Sequence, residues 1–154
     1  MNRKILLSVL LKKILSILAL FSSLSVNAQK TVNLSQLKNT SWKIVSGVQN
    51  SENDLYSFSD RNLYWYMLSG NSKRKIFSYN FYLTNTLPTK YDSSKVGNSN
   101  KGCYIVEYNP VMDEFIYYII KTFDLSTGTM VLLPRSWEEP IGGMAKEIKY
   151  KLVK

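Results

Sequence analysis

The sequence predicts an all-β protein, an antiparallel up-and-down eight-stranded barrel, on three observations. Helical periodicity is nearly absent beyond residue 28, and short apolar or alternating runs recur in its place. The runs are cut by Asn, Ser, Gly, Pro and Asp, residues that end strands and build turns. Eight such runs follow one another, most with hairpin-length links. Sequential hairpins of this number close into an up-and-down barrel or stack as a β-sandwich. A sandwich needs long crossovers, and only the segment 85–100 is a good candidate for one, so the barrel is favoured.

Residues 1–28 stand apart from this pattern. Asn2, Arg3 and Lys4 form a positive start, "ILLSVLLKKILSILALF" an apolar run, and Val26 and Ala28 supply the small residues a signal peptidase reads. Lys12 and Lys13 split the run into pieces too short to span a bilayer, which favours a cleaved signal peptide over a transmembrane anchor. The expectation is a signal peptide at 1–28 and one mature domain at 29–154, exported to the periplasm or secreted. Gln29, not Cys, follows the cut, which argues against a lipid anchor.

The mature elements follow in order. "NLSQL", Asn33 to Leu37, suits one capped helical turn. "SWKIVSGV" sets Trp42, Ile44, Ser46 and Val48 against Lys43, Val45 and Gly47. "LYSFS" and "NLYWYMLS" flank a tight turn at "SDRN", and "KIFSYNFYLT" puts Phe77, Tyr79, Phe81 and Leu83 on one face. Beyond the polar stretch "NTLPTKYDSSKVGNSN" come "GCYIVEY", the turn "NPVMD", "EFIYYIIKTF", the turn "DLSTG" and "TMVLLP". The loop "RSWEEPIGGM" then leads to "KEIKYKLVK", where Ile148, Tyr150 and Leu152 alternate with Lys149, Lys151 and Val153. "EFIYYIIKTF" is apolar on both faces, with Phe115, Tyr117, Ile119 and Phe123 on one and Ile116, Tyr118 and Ile120 on the other. A barrel wall normally shows one face to water, so this one should be covered outside, by the N-terminal turn or by a partner.

Composition excludes several chemistries. The chain of 154 residues has a formal charge of +9, but four of its 20 Lys and Arg lie within residues 1–28. The mature part keeps 16 against 11 acidic residues, a net of +5. Its largest basic cluster is "KRK", Lys73 to Lys75, too sparse for a nucleic-acid footprint. There is no histidine, which removes the commonest general base, the commonest zinc ligand and every Ser-His or Cys-His pair. Asp113 and Glu114, neighbours on a strand, should face opposite ways, and Glu138 and Glu139 sit in a loop. The expectation is a protein that is not an enzyme and takes no metal or cofactor. Cys103 is alone, so no internal disulfide forms, and a buried small hydrophobe is its expected role.

Trp42 heads the first alternating strand, where a barrel needs a floor that excludes water, and is expected to be structural. "LSQLKNTSWKIVSG" resembles the start of a lipocalin-like domain, with a helical turn before a Trp on strand one, and Thr40 stands in place of that family's glycine. "IIKTFDLSTGTMVLL" is similar to the late segment of small bacterial lipocalin-like domains through Leu125, Ser126, Met130, Val131 and Leu132. No arginine on the last strand is available to cover the Trp, so Lys149 or Lys151 would have to serve. The resemblance implies a binder of a small apolar ligand inside a cup. The side chains expected inside (Phe58, Phe77, Tyr79, Phe81, Tyr104, Val106, Tyr108, Met130, Leu132, Ile148, Tyr150) are bulky enough to fill it instead. Buried phenols cost on the order of 1–3 kcal/mol each if unpaired, which asks for water or a polar ligand atom. The candidate ligand-binding residues are Tyr79, Tyr104, Tyr108, Tyr150 and Trp137. Trp137 lies in the longest of four loops ("VQNSEND", "GNSKR", "NPVM" and "RSWEEPIGGM") that strand order places on one rim. The alternative is an exported protein-interaction or inhibitor module with a filled barrel, meeting a protein partner through its tyrosines.

Overall fold

The structure is a computed structural model that describes residues 29–48, 51–136 and 146–153. The signal peptide, Trp137, Glu138, Glu139 and the Gly142–Gly143 turn lie outside the described residues. The barrel strands are β2 (Ser41–Ser46), β3 (Asp54–Phe58), β4 (Asn62–Ser69), β5 (Ser72–Thr84), β7 (Tyr104–Asn109), β8 (Glu114–Asp124), β9 (Thr129–Ser136) and β10 (Ile148–Val153). They close in the order β10-β2-β3-β4-β5-β7-β8-β9, every neighbour antiparallel. Closure excludes the sandwich, and each of the eight predicted runs supplies one strand.

The turns form where the sequence carries polar side chains that hold backbone donors. Asp124 Oδ1 accepts from the backbone N–H of Ser126 and Thr127 and from the Ser126 hydroxyl. These bonds, the hydroxyl's first, hold the Asp124 pKa down to about 2. Ser59 caps the "SDRN" turn, its hydroxyl oxygen accepting from the N–H of Asn62 at 2.8 Å. Gly47 adopts φ 106°, and a side chain there would run into the backbone of Glu147 and Ile148, so only glycine lets β2 leave the sheet beside β10.

Two short elements decorate the closed end. β1 (Val32–Asn33) runs into the predicted helical turn, Leu34–Leu37, and pairs with β6 (Lys101–Gly102). The turn is steadied by the Gln36 side chain, which accepts from the Asn33 N–H at 3.1 Å, and it buries Leu34 and Leu37 under the barrel. A side chain at Gly102 would strike the Thr84 backbone, so glycine allows β6 to lie against the end of β5.

The main core lies inside the barrel and includes Trp42, Ile44, Phe58, Phe81, Leu83, Ile105, Ile120, Phe123, Met130 and Leu132. A second cluster lies outside the wall, where Tyr82 and Val106 pack with Val96, Tyr91, Phe115 and Tyr117. The two apolar faces of β8 are thus explained, and the expected cover is corrected. Part of it is the segment 85–100, which contributes Tyr91 and Val96 and was not foreseen, and the helical turn is packed on the main core instead.

Two face assignments are also corrected. Tyr104, Val106 and Tyr108 point outward, because β7 turns Ile105 and Glu107 into the barrel. On β8 an irregularity between Ile120 and Thr122 shifts the alternation, so Phe123 joins Ile116, Tyr118 and Ile120 inside instead of sharing a face with Tyr117. Asp113 lies in the turn before β8 at φ 55°, not on the strand with Glu114.

Candidate functional site

The ends of the strands define two poles. At one, β2 begins and β10 ends beside the helical turn. Trp42 is fully buried there, its indole N–H donating to Thr40 Oγ1 at 2.7 Å. The Thr40 hydroxyl in turn donates to the Leu37 carbonyl. Thr40 therefore does what a glycine could not: it completes a relay that pairs the only polar atom of the buried indole. Phe123, delivered inside by the β8 irregularity, packs with its centroid 5.6 Å from Trp42. Leu152 lies opposite Trp42 in the sheet. Lys149 and Lys151 do not cover the Trp, as one of them was expected to. Both are exposed, and Lys151 donates to the Thr127 carbonyl at 2.8 Å.

At the other pole the described strands β2, β4, β7 and β9 end and β3, β5, β8 and β10 begin, so "GNSKR" and "NPVM" share one rim as expected, while part of "VQNSEND" and most of "RSWEEPIGGM" lie outside the described residues. Below this rim lies a cavity of about 60 Å³. Ile44, Ile105, Leu132 and Ile148 give it an apolar wall, and Tyr56, Phe58, Tyr118 and Tyr150 give it aromatic faces. Tyr150 stands edge-on to Tyr56 at 6.0 Å, and Trp65 lies parallel to Tyr56 at 6.5 Å. The Trp65 indole N–H is buried without a hydrogen-bond partner among the described residues.

Glu107 is the buried acid of this region, 6 % exposed, and its Oε1 accepts from the Tyr118 hydroxyl at 2.8 Å. Burial disfavours the charged carboxylate more than that hydrogen bond favours it, so its pKa is pushed up to about 7. The phenols respond in kind. Tyr118 and Tyr150 are held well above their ordinary value by burial first, with the negative charge of Glu107 adding to it. Tyr56 is raised by burial and then by Asp54 and Glu107. Chemically, the site is a small apolar chamber lined by phenols, one of which, Tyr118, is hydrogen-bonded to the buried Glu107 behind it.

Of the residues predicted from sequence, the structure brings Tyr79 and Tyr150 toward this interior. The Tyr79 ring lies tilted against Phe77 with centroids 4.7 Å apart, and burial followed by the charge of Glu107 raises its pKa. Tyr104 and Tyr108 stand on the outer wall and are corrected. The Tyr104 hydroxyl accepts from Gln29 Nε2 at 3.0 Å, while Tyr108 stacks on Tyr91 and donates to Asp113. Cys103 is buried between β6 and β7, and its thiol donates to Gln29 Oε1 at 3.1 Å. Burial pushes that thiol pKa up. Sequence reasoning missed Glu107, Tyr118 and Tyr56 as members of the site. The available signal was Glu107 itself, the one charged residue of "CYIVEY", since an acid inside an apolar strand is retained at a cost. In comparisons with protein-family models, with curated proteins and with solved structures, nothing matches this chain.

Proposed function

We propose that the chain is an exported lipocalin-like binding protein that holds one small, predominantly apolar ligand in the rim-side chamber of its barrel. The observation that carries this reading is the chamber itself, a recessed, partly open space walled by aliphatic and aromatic side chains with phenols at hand. A barrel selected only for packing gains stability by filling such a space with apolar side chains, because voids and buried polar atoms both cost free energy. The volume, about 60 Å³, suits a compact molecule and not a long acyl chain. Support for the family comes from Trp42 on the first barrel strand after a helical turn, and support for export from the pattern of residues 1–28.

The test is a titration of the protein with short-chain alcohols, acids, amines and aromatic metabolites, followed by NMR shifts and tryptophan fluorescence. Saturable binding should occur and should disappear in Ile148→Trp, which fills the chamber from its partly exposed wall while the fold is retained. A folded protein that binds no member of the panel overturns the carrier reading. The mass of exported protein should correspond to a chain starting at Gln29, and retention of residues 1–28 overturns the export proposal.

A second reading, a filled barrel that meets a protein partner, has its own support on the outer wall. There Tyr66 and Tyr64 lie beneath Lys73 and Lys75, whose ammonium groups stand 3.8 and 5.5 Å from the ring centroids. Tyrosine is among the residues that protein interfaces favour.

A further inference from the structure

The chamber has a sign. None of the described residues lining it is cationic, and four of them present aromatic rings, whose faces are electronegative. The charged groups that act on its phenols are both acids: Asp54 on β3 acts on Tyr56, and Glu107 on β7 acts on Tyr56, Tyr118 and Tyr150. Tyr79 on β5 also faces this interior and feels Glu107 alone. Glu107 is not itself among the described residues that line the chamber; it stands one hydrogen bond behind the lining Tyr118, whose hydroxyl donates to it at 2.8 Å and keeps its own lone pairs for a donor in the chamber. An anionic ligand would bring a second negative charge beside Glu107 with no counter-ion from the lining. A neutral apolar ligand would leave the carboxyl unused.

We infer that the ligand carries a small organic ammonium group, seated against Tyr56, Tyr118 and Tyr150 and compensated by the Glu107 carboxylate one hydrogen bond behind Tyr118. This ligand class rests on the chamber being a binding site, as proposed above. Cation–π attraction strengthens when the cation leaves water, and the carboxylate supplies the opposite charge that such a transfer requires. The space admits roughly four to six water-sized groups, the size of a short alkylammonium. The ammonium favours the ionised carboxylate, so binding tightens as pH rises through the range where Glu107 loses its proton, centred on about 7 when the chamber is empty.

The experiment compares butylammonium, butan-1-ol and butyrate by NMR titration of the protein at pH 8 and pH 5.5. At pH 8 butylammonium should bind at least ten-fold tighter than butan-1-ol, and butyrate should not bind. Glu107→Gln should bring butylammonium down to the level of the alcohol without changing the alcohol, and lowering the pH of the wild type to 5.5 should do the same. Should Glu107→Gln fail to fold, the pH comparison and Tyr118→Phe, which removes the hydroxyl linking the chamber to Glu107 and should weaken butylammonium but not butan-1-ol, supply the discrimination. Equal affinity for ammonium and alcohol, or ammonium binding indifferent to both Glu107→Gln and pH, overturns the ammonium inference and leaves the cup standing. No saturable binding of any of the three probes overturns both.

Discussion

The two poles of the barrel are built from the same eight strands and treat their polar atoms in opposite ways. At the floor the Trp42 indole N–H reaches Thr40 two residues away, and Thr40 reaches Leu37 three residues away. Every partner is local, and the aromatic side chains are sealed by Phe123 and the helical turn. Below the rim the polar pair is Tyr118 with Glu107, joined across neighbouring strands, beside a space that protein does not fill. The difference separates what a barrel needs in order to close from what it carries at a cost. Local relays complete a core, whereas an acid kept inside the wall is a burden unless something else uses it.

The largest expected effect tests the floor. Trp42→Ala should cost about 3–5 kcal/mol, the range for truncating a buried large aromatic. A single domain without cross-links has about 5–15 kcal/mol in total, so the variant should be barely folded. Thermal melting within a few degrees of the wild type would remove the floor from this comparison.

The cup should respond to pH instead. The folded protein holds a proton on Glu107 up to about pH 7, whereas an ordinary glutamate loses it near 4.5. The folded state therefore binds more protons than the unfolded state between those values, and stability falls as pH rises across that window. The loss attributable to Glu107 is about 3 kcal/mol, complete above pH 7 and absent below 4.5. Glu107→Gln should flatten the dependence and raise stability at pH 8, as urea titrations at pH 4.5, 6 and 8 would reveal. An unchanged slope in the variant would mean that Glu107 is not the titrating group.

Smaller effects sharpen the contrast. Thr40→Val keeps the shape of the residue and leaves the buried indole N–H unpaired, which should cost about 1–3 kcal/mol. Trp42 fluorescence should report the changed environment, and a neutral outcome would show that the relay adds nothing. Val96→Ala on the outer cover should cost about 1–2 kcal/mol by removing two buried methyl groups. It should leave ligand binding in the chamber untouched, because the covering segment packs on the outside of the wall. A change in binding would couple the two faces.

Much of this architecture is legible in the residues alone. Eight runs bounded by turn formers, a helical turn at Asn33 to Leu37 and a lone Trp on the first alternating strand lead to the barrel and its floor. The cup is less legible, and β7 explains why. Alternation gives a period of two but fixes no phase when both faces are apolar, and "CYIVEY" offers Tyr104, Val106 and Tyr108 as readily as Ile105 and Glu107. The tyrosines looked like the interior set because a cover from the segment 85–100, which buries the outer face of β7, was not foreseen.

The sequence by itself determined the local terms: strand and turn propensities, strand order, the closing of consecutive hairpins, and the need for a buried Trp at one end. These depend on residues close together along the chain, where backbone conformation and side-chain period act directly. Only the tertiary structure decided which face of β7 turns inward, through pairs such as Phe81 with Glu107 and Ile116 with Glu107. It likewise decided that the segment 85–100 folds over the outer wall and that the β8 irregularity sends Phe123 to Trp42. Those outcomes depend on contacts between residues far apart in sequence, and for that reason the buried acid behind Tyr118 was visible as a residue but not as part of a site.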